Sequence, residues 1–214
     1  MLKEFILKNP FFYKLFVKLI RKKDIRKDFI KKLDLKPGDK ILDIGCGPAE
    51  ILSELPDYID YTGFDNNEKY ITDAKKRFKN RGSFFCETIG KDSLQNKFNE
   101  TEKFNLILAM GVLHHLTDRE VLSLMKLADK HLLPDAKLVT RDGCYTKNQS
   151  LIAKFLLKMD RGIFVRNEAG YTKLAGHFFK TVKSEINHNL INLPYTHITM
   201  KCIKEGREEK NDSF

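Results

Sequence analysis

The chemistry of this chain starts at Asp43-Ile44-Gly45-Cys46-Gly47-Pro48-Ala49-Glu50. An apolar run through Ile41, Leu42 and Ile44 breaks into a Gly-x-Gly turn, and Ile51, Leu52 and Leu55 follow at helical spacing. That order reads as a buried parallel strand, a glycine turn and a helix, the first unit of a doubly wound sheet. Two positions without a Cβ let the backbone approach a ligand closely. A second acid, Asp65, closes Tyr61-Thr62-Gly63-Phe64-Asp65, twenty residues beyond Gly45. At that spacing a carboxylate reaches the two hydroxyls of an adenosine ribose, so the turn predicts an adenosine cofactor. A dinucleotide fits poorly. The sixth position of its fingerprint wants a small residue, and here it is Glu50, whose carboxylate would repel a pyrophosphate at a helix N-terminus.

Further elements must hold these residues in place. After Asp65 a helix is predicted over Glu68–Lys79, with Tyr70, Ile71, Ala74 and Phe78 on its apolar side. Phe84-Phe85-Cys86 reads as a third strand and Phe104–Ala109 as a fourth, apolar on both faces as a central parallel strand must be. Asp118 starts a helix, Lys137–Thr140 is the fifth strand, and Leu151–Met159 is an apolar helix. Another helix carries Tyr171, Leu174, Ala175 and Phe178, and an antiparallel pair, Thr181–His188 and Tyr195–Ile203, completes the sheet. Ligands of such sheets bind beyond the carboxyl ends of the strands, which gathers Gly45–Gly47, Asp65, Ala109–Gly111 and Arg141-Asp142-Gly143 around one cleft.

Composition sets the outer bounds. The chain has 214 residues, a size for one decorated domain, and no apolar run near the roughly 18 residues that span a bilayer. Lys14 and Lys18 interrupt the only candidate for a signal peptide. Cys46, Cys86, Cys144 and Cys202 lie far apart, with no Cys-x-x-Cys and no histidine at zinc spacing; they read as reduced thiols of a cytoplasmic protein without a metal site. The net charge of +10 is uneven, because residues 1–40 hold 13 Lys/Arg against 5 Asp/Glu. Residues 1–36 form a basic helical arm in which Phe11, Phe12, Leu15, Phe16, Leu19 and Ile20 face one way and Lys14, Lys18, Arg21 and Lys22 the other. A second basic helix is expected from Lys22 to Leu35. The arm is expected to be a lid on the domain. The competing expectation is weak contact of residues 1–23 with an anionic membrane surface, which would make the protein peripheral at the inner face of the membrane.

The glycine turn with its leading Asp43 resembles motif I of the class I S-adenosylmethionine-dependent methyltransferases. The resemblance extends to Phe64-Asp65, to Phe104 through Leu116 (with Gly111-Val112-Leu113-His114-His115), and to Leu132 through Val139 (with Leu133-Pro134-Asp135). It implies a Rossmann-like, doubly wound seven-stranded sheet with its last strand antiparallel, over residues 37–204. A helical insertion at 146–180 precedes strand 6, and 205–214 is a polar tail. It implies S-adenosyl-L-methionine as cofactor, held by Asp43, Gly45, Cys46, Gly47, Asp65, Asn66, Thr88, Ala109 and Met110. The adenine contact belongs at the end of the third strand, where this chain offers Glu87, Thr88 and Asp92.

Methyl transfer from a sulfonium is an in-line displacement, so the protein supplies positioning and, where needed, a base. His115, His197 and Tyr195 are the predicted catalytic residues. His114 is expected to be structural, since neighbours on a turn point different ways. Arg161, Arg166, Tyr171 and His188 are the predicted acceptor side, with Arg141 also suited to a phosphate or carboxylate. The layout from the Phe-rich arm to Pro194-Tyr195-Thr196-His197 looks like a bacterial subgroup associated with surface-polysaccharide or lipid biosynthesis. The expected function is O-methylation of a small molecule or a glycan or lipid precursor. The alternatives are an RNA methyltransferase using the basic arm, or a cofactor-binding scaffold without catalysis; nucleic acid is the weaker partner. With no Asn-Pro-Pro-Tyr run after the fourth strand, amino-group methylation of adenine is disfavoured.

Overall fold

The computed structural model describes residues 25–88, 98, 101–159, 163–188 and 190–206. The arm through residue 24, Asp92, Arg161 and the tail from 207 lie outside the described residues. Among the described residues eight strands form one sheet: β1 Lys40–Ile44, β2 Asp60–Asp65, β3 Ser83–Cys86, β4 Phe104–Met110, β5 Leu132–Tyr145, β6 Arg166–Asn167, β7 Thr181–Asn187 and β8 His197–Ile203. Their order is β3-β2-β1-β4-β5-β8-β7, with the two-residue β6 paired to β5 off this path. Pairing among the first five strands is parallel, and β8 runs antiparallel to both β5 and β7. The chain steps outward from β1 through β2 to β3 and then returns to place β4 on the other side of β1. The strand order therefore reverses between β1 and β4, where a crevice for a ligand opens.

Alternating side chains feed two cores, one on each face. On one face Ile41, Leu106, Leu108 and Val139 pack with α1 (Ile25–Lys31) through Phe29 and with α2 (Glu68–Phe78) through Ile71 and Ala74. On the other, Leu42, Ile107, Leu138, Ile198 and Met200 pack with α3 (Asp118–His131) and α5 (Glu168–Ala175). Each fully buried Leu or Ile contributes about 1.5–3 kcal/mol of transfer free energy. The start of α3 is set by a capping box: Glu120 N–H donates to Thr117 Oγ1, and Thr117 N–H donates to the Glu120 carboxylate at 2.8 Å.

Four elements depart from the sequence reading. No α-helix follows the glycine turn; Glu50–Ser53 is a single 3-10 turn. Pro56 disfavours helical backbone at Leu55, and too few residues remain before β2 to build a helix and return. Leu52 and Leu55 are buried all the same. Strand β5 is much longer than Lys137–Thr140, because Pro134 and Asp135 hid its start; Asp135 takes a left-handed φ of 62° and the β4–β5 register slips between Phe104 and Leu106. Helix α5 stops at Ala175 before Gly176, leaving Phe178 outside it. The helix expected over Lys22–Leu35 is described from Ile25 and ends at Lys31.

Candidate active site

At the carboxyl end of β1, Gly45 has φ 72° and Gly47 φ 55°, left-handed values that favour glycine at both. The two differ in surroundings. A Cβ on Gly45 would lie 2.5 Å from Val112 Cγ2, so that glycine lets the β4 loop close over the turn. A Cβ on Gly47 would meet only Tyr70, at 4.0 Å, so open space lies above it for a ligand. Gly47 N–H donates to Asp65 Oδ2 and Asn67 N–H to Asp65 Oδ1, both at 2.8 Å. These bonds aim the carboxylate at the turn, and each oxygen keeps a lone pair for a ribose hydroxyl. Burial raises the Asp65 pKa, and the two backbone donors oppose that.

Below the turn, Asp43 is buried and accepts a 2.7 Å hydrogen bond from Tyr61 Oη. Burial lifts its carboxyl to about 7; the Tyr61 hydrogen bond opposes this and the charge of Asp65 adds to it. Burial also pushes the Cys46 thiol well up, so Cys46 is a neutral packing residue with its N–H on Phe64 O at 2.8 Å. Gly63 makes this cluster fit, since a Cβ there would stand 2.9 Å from Cys46 Sγ and 3.0 Å from the Tyr61 ring. Tyr61 was not singled out from sequence, because its hydroxyl sits on a side chain that patterns simply as core. Glu50 takes a different role from the one its position in the turn predicts. It is ion-paired with Arg26 of α1 and Arg77 of α2, so its charge is balanced and it ties three elements together. The obstacle to a pyrophosphate is the missing helix N-terminus instead, since a four-residue 3-10 turn follows the glycines.

Across the crevice, Ala109 is buried, Met110 is half-buried, and Gly111 (φ 74°) donates its N–H to Arg141 O at 2.7 Å. The 3-10 turn Leu113–His115 then points its two histidines differently. His115 is exposed, whereas His114 is buried with Nδ1 2.8 Å from Asp142 Oδ1, and its backbone N–H reaches the same oxygen at 3.3 Å. The two rings lie 4.1 Å apart. Asp142 is 1% exposed. The sequence reading passed over this pair because its members are 28 residues apart; only the adjacency of β4 and β5 joins them.

The predicted acceptor residues fare unevenly. Arg166 is turned inward as a brace, and all five guanidinium donors are taken: Nε and Nη2 on Asp118, Nη2 on Leu116 O, Nη1 on Leu113 O and Phe164 O. None remains for an acceptor. Tyr171 is likewise a core residue, fully buried, with Oη donating to Gly143 O at 2.9 Å and its pKa raised by burial. Tyr195 and His197 do come together, ring centroids 4.7 Å apart, and Tyr195 Oη would lie 2.5 Å from a Cβ on Gly143 at the end of β5. His188 is exposed at the end of β7, with Nδ1 3.1 Å from Thr196 Oγ1. Asn66 and Thr88 are exposed just past β2 and β3. Arg141 leaves the rim toward α1, its Nε on Thr199 Oγ1 at 3.2 Å and its guanidinium 4.4 Å over the Phe29 ring. It borders a cavity of about 430 Å3 that Lys183 and Lys201 also line, and burial lowers its pKa to about 10 against the pull of Glu185.

A methyltransferase-domain family model matches residues 41–135. Over 133 residues the chain is 31% identical to the probable cobalt-precorrin-6B C(15)-methyltransferase (decarboxylating) of Methanococcus vannielii, covering 51% of this chain and 74% of that protein. Over 90 residues it is 32% identical to cycloartenol-C-24-methyltransferase 1 of Oryza sativa subsp. japonica, covering 41% of this chain but only 26% of the rice protein. In fold it is similar to the N-methyltransferase NodS of Bradyrhizobium japonicum WM9 solved with S-adenosyl-l-homocysteine: TM-score 0.64, 17% identity, 85% of this chain and 86% of that one. The chain belongs to the class I S-adenosylmethionine-dependent methyltransferases.

Proposed function

We propose that this protein transfers a methyl group from S-adenosylmethionine to an oxygen of a small molecule or a glycan or lipid precursor. The open space above Gly47 and the aimed Asp65 carboxylate support the cofactor's place. Gly45, Cys46 and Gly47 would cradle it, Asp65 and Asn66 would take the ribose side, Thr88 the adenine side, and Ala109 and Met110 the opposite wall. When bound, the cofactor supplies an electrophilic methyl group on a sulfonium.

The observation that carries the acceptor chemistry is the buried 2.8 Å contact between His114 Nδ1 and Asp142. A carboxylate on Nδ1 holds the proton there and leaves Nε2 as the basic atom. In this reading His114, rather than the predicted His115, is the base: its Nε2 would accept the proton of an acceptor hydroxyl, whose oxygen would take the methyl group that the cofactor supplies. Tyr195 and His197, with rings 4.7 Å apart beside Gly143, would line the acceptor rim, whereas Arg141, turned toward α1, would not reach it. The test is transfer of isotope-labelled methyl into bacterial lipid, glycan and RNA fractions, read by mass spectrometry. His114→Gln and Asp142→Asn should each lower transfer by about a hundredfold or more, with S-adenosylhomocysteine affinity within about twofold and His115→Ala nearly active. Label appearing in RNA alone would favour the RNA reading that the basic arm raises. An inactive His115→Ala with an active His114→Gln would reverse the assignment.

A further inference from the structure

Helix α4 (Leu151–Met159) carries its apolar residues on the wrong side for a simple core helix. Ala153 and Leu157, four apart, face inward and are buried. On the opposite arc Leu151 is 82%, Ile152 62%, Phe155 60% and Met159 48% exposed, and Ile163 just beyond is 80% exposed. A helix with an inner apolar face needs a polar outer one in water. Contiguous apolar exposure of this kind marks an interaction site.

The charge around the patch says what covers it. Lys154 and Lys158 flank it on the helix and exposed Lys147 lies just before it, while the one acid in the sequence from Gly143 to Ile163 is Asp160, followed directly by Arg161. Contacts between protein copies deplete lysine. An apolar stripe bordered by lysines, on a helix without an acid, is the arrangement that seats on anionic head groups. Nine residues are too few to span a bilayer, and among the described residues no helix is long and apolar enough to do so. The base of the helix stands at the acceptor rim, for Leu157 Cδ2 and Tyr195 Oη would lie 2.7 and 2.5 Å from a Cβ on Gly143.

We propose that the outer face of α4, with Ile163, docks on an anionic phospholipid surface and brings the mouth of the acceptor cleft to the membrane. The corollary that the acceptor is drawn from that surface rests on the lipid-precursor reading above; the docking does not.

The chain contains no tryptophan, so Phe155→Trp in the full-length protein places a single fluorescent reporter on the patch. Leu151→Trp is a second reporter. Tyr58→Trp, before β2 at the other end of the sheet, is the control. Adding vesicles of phosphatidylcholine with about one-third phosphatidylglycerol should shift the emission of both α4 reporters to the blue and leave the control unchanged. Binding should weaken at least about tenfold with pure phosphatidylcholine, in high salt, or in Lys154→Gln/Lys158→Gln, since each lysine near such a surface is worth on the order of 1 kcal/mol. Leu151→Ser/Phe155→Ser should weaken it comparably. If vesicles sediment the protein while both reporters stay unshifted, another surface binds lipid and the proposal fails. If the shift occurs without vesicles and the sedimentation mass doubles, a second copy covers the face and the proposal fails equally. Docking intact with no labelled methyl in the lipid fraction would overturn the corollary alone.

Discussion

At the residue scale, Asp43 couples the site to stability. Its folded pKa of about 7 lies above the ordinary 3.8. Between those values the folded state keeps the proton that the unfolded chain has released, so stability is fully present below about pH 4 and is lost as pH rises toward 7. Asp43→Asn keeps an acceptor for Tyr61 and removes the titration. Its melting temperature should exceed that of the unaltered protein above pH 7, by the equivalent of up to about 4 kcal/mol, and the gap should close toward pH 4. A gap that widens on acidification would mean that Asp43 is ionised in the folded protein throughout. The same substitution should weaken cofactor binding, the usual exchange of stability against a site held in a strained electrostatic state.

At the element scale, Arg166 decides how β4's loop is held. One guanidinium bridges β6 to the 113–118 turn through Asp118 and the carbonyls of Leu113 and Leu116, and the Phe164 N–H adds a 3.1 Å bond to His114 O. The turn carrying the proposed base is thereby clamped from the segment that follows α4. Arg166→Ala should lower unfolding free energy by about 2–4 kcal/mol in urea titration and speed proteolysis near residues 113–118. Arg166→Lys should recover less than half, since an ammonium cannot reproduce a five-donor fork. An acceptor-binding arginine would instead leave stability unchanged and raise KM.

At the scale of the whole molecule, the cleft joins elements from both halves of the sheet, so filling it should stabilise the domain as a unit. S-adenosylhomocysteine at a hundred times its Kd should add about 2.7 kcal/mol, raising Tm by roughly 5–10 °C for a domain of this size, while NAD should have no effect. Asp65→Ala should need at least about ten times more ligand for the same shift, having lost two charge-assisted hydrogen bonds. An equal response in a folded Asp65→Ala variant would move the ribose contact elsewhere.

The sequence by itself determined the sheet, its final antiparallel strand, the glycine turn and Asp65. Those features are local: strand period, glycine positions and a fixed spacing along the chain survive without knowledge of what packs where. It also marked out α4 to the residue, because its run is apolar but for Lys154 and Lys158, but could not say that half of that run faces outward. Tertiary structure decided the pairings between residues far apart in the chain. It joined His114 to Asp142, placed Tyr61 under Asp43, balanced Glu50 with two arginines, and committed Arg166 to the 113–118 turn and Tyr171 to Gly143 O. Hydrogen-bond donors and carboxylates find partners by proximity in space, and strand order, which no single segment encodes, sets that proximity.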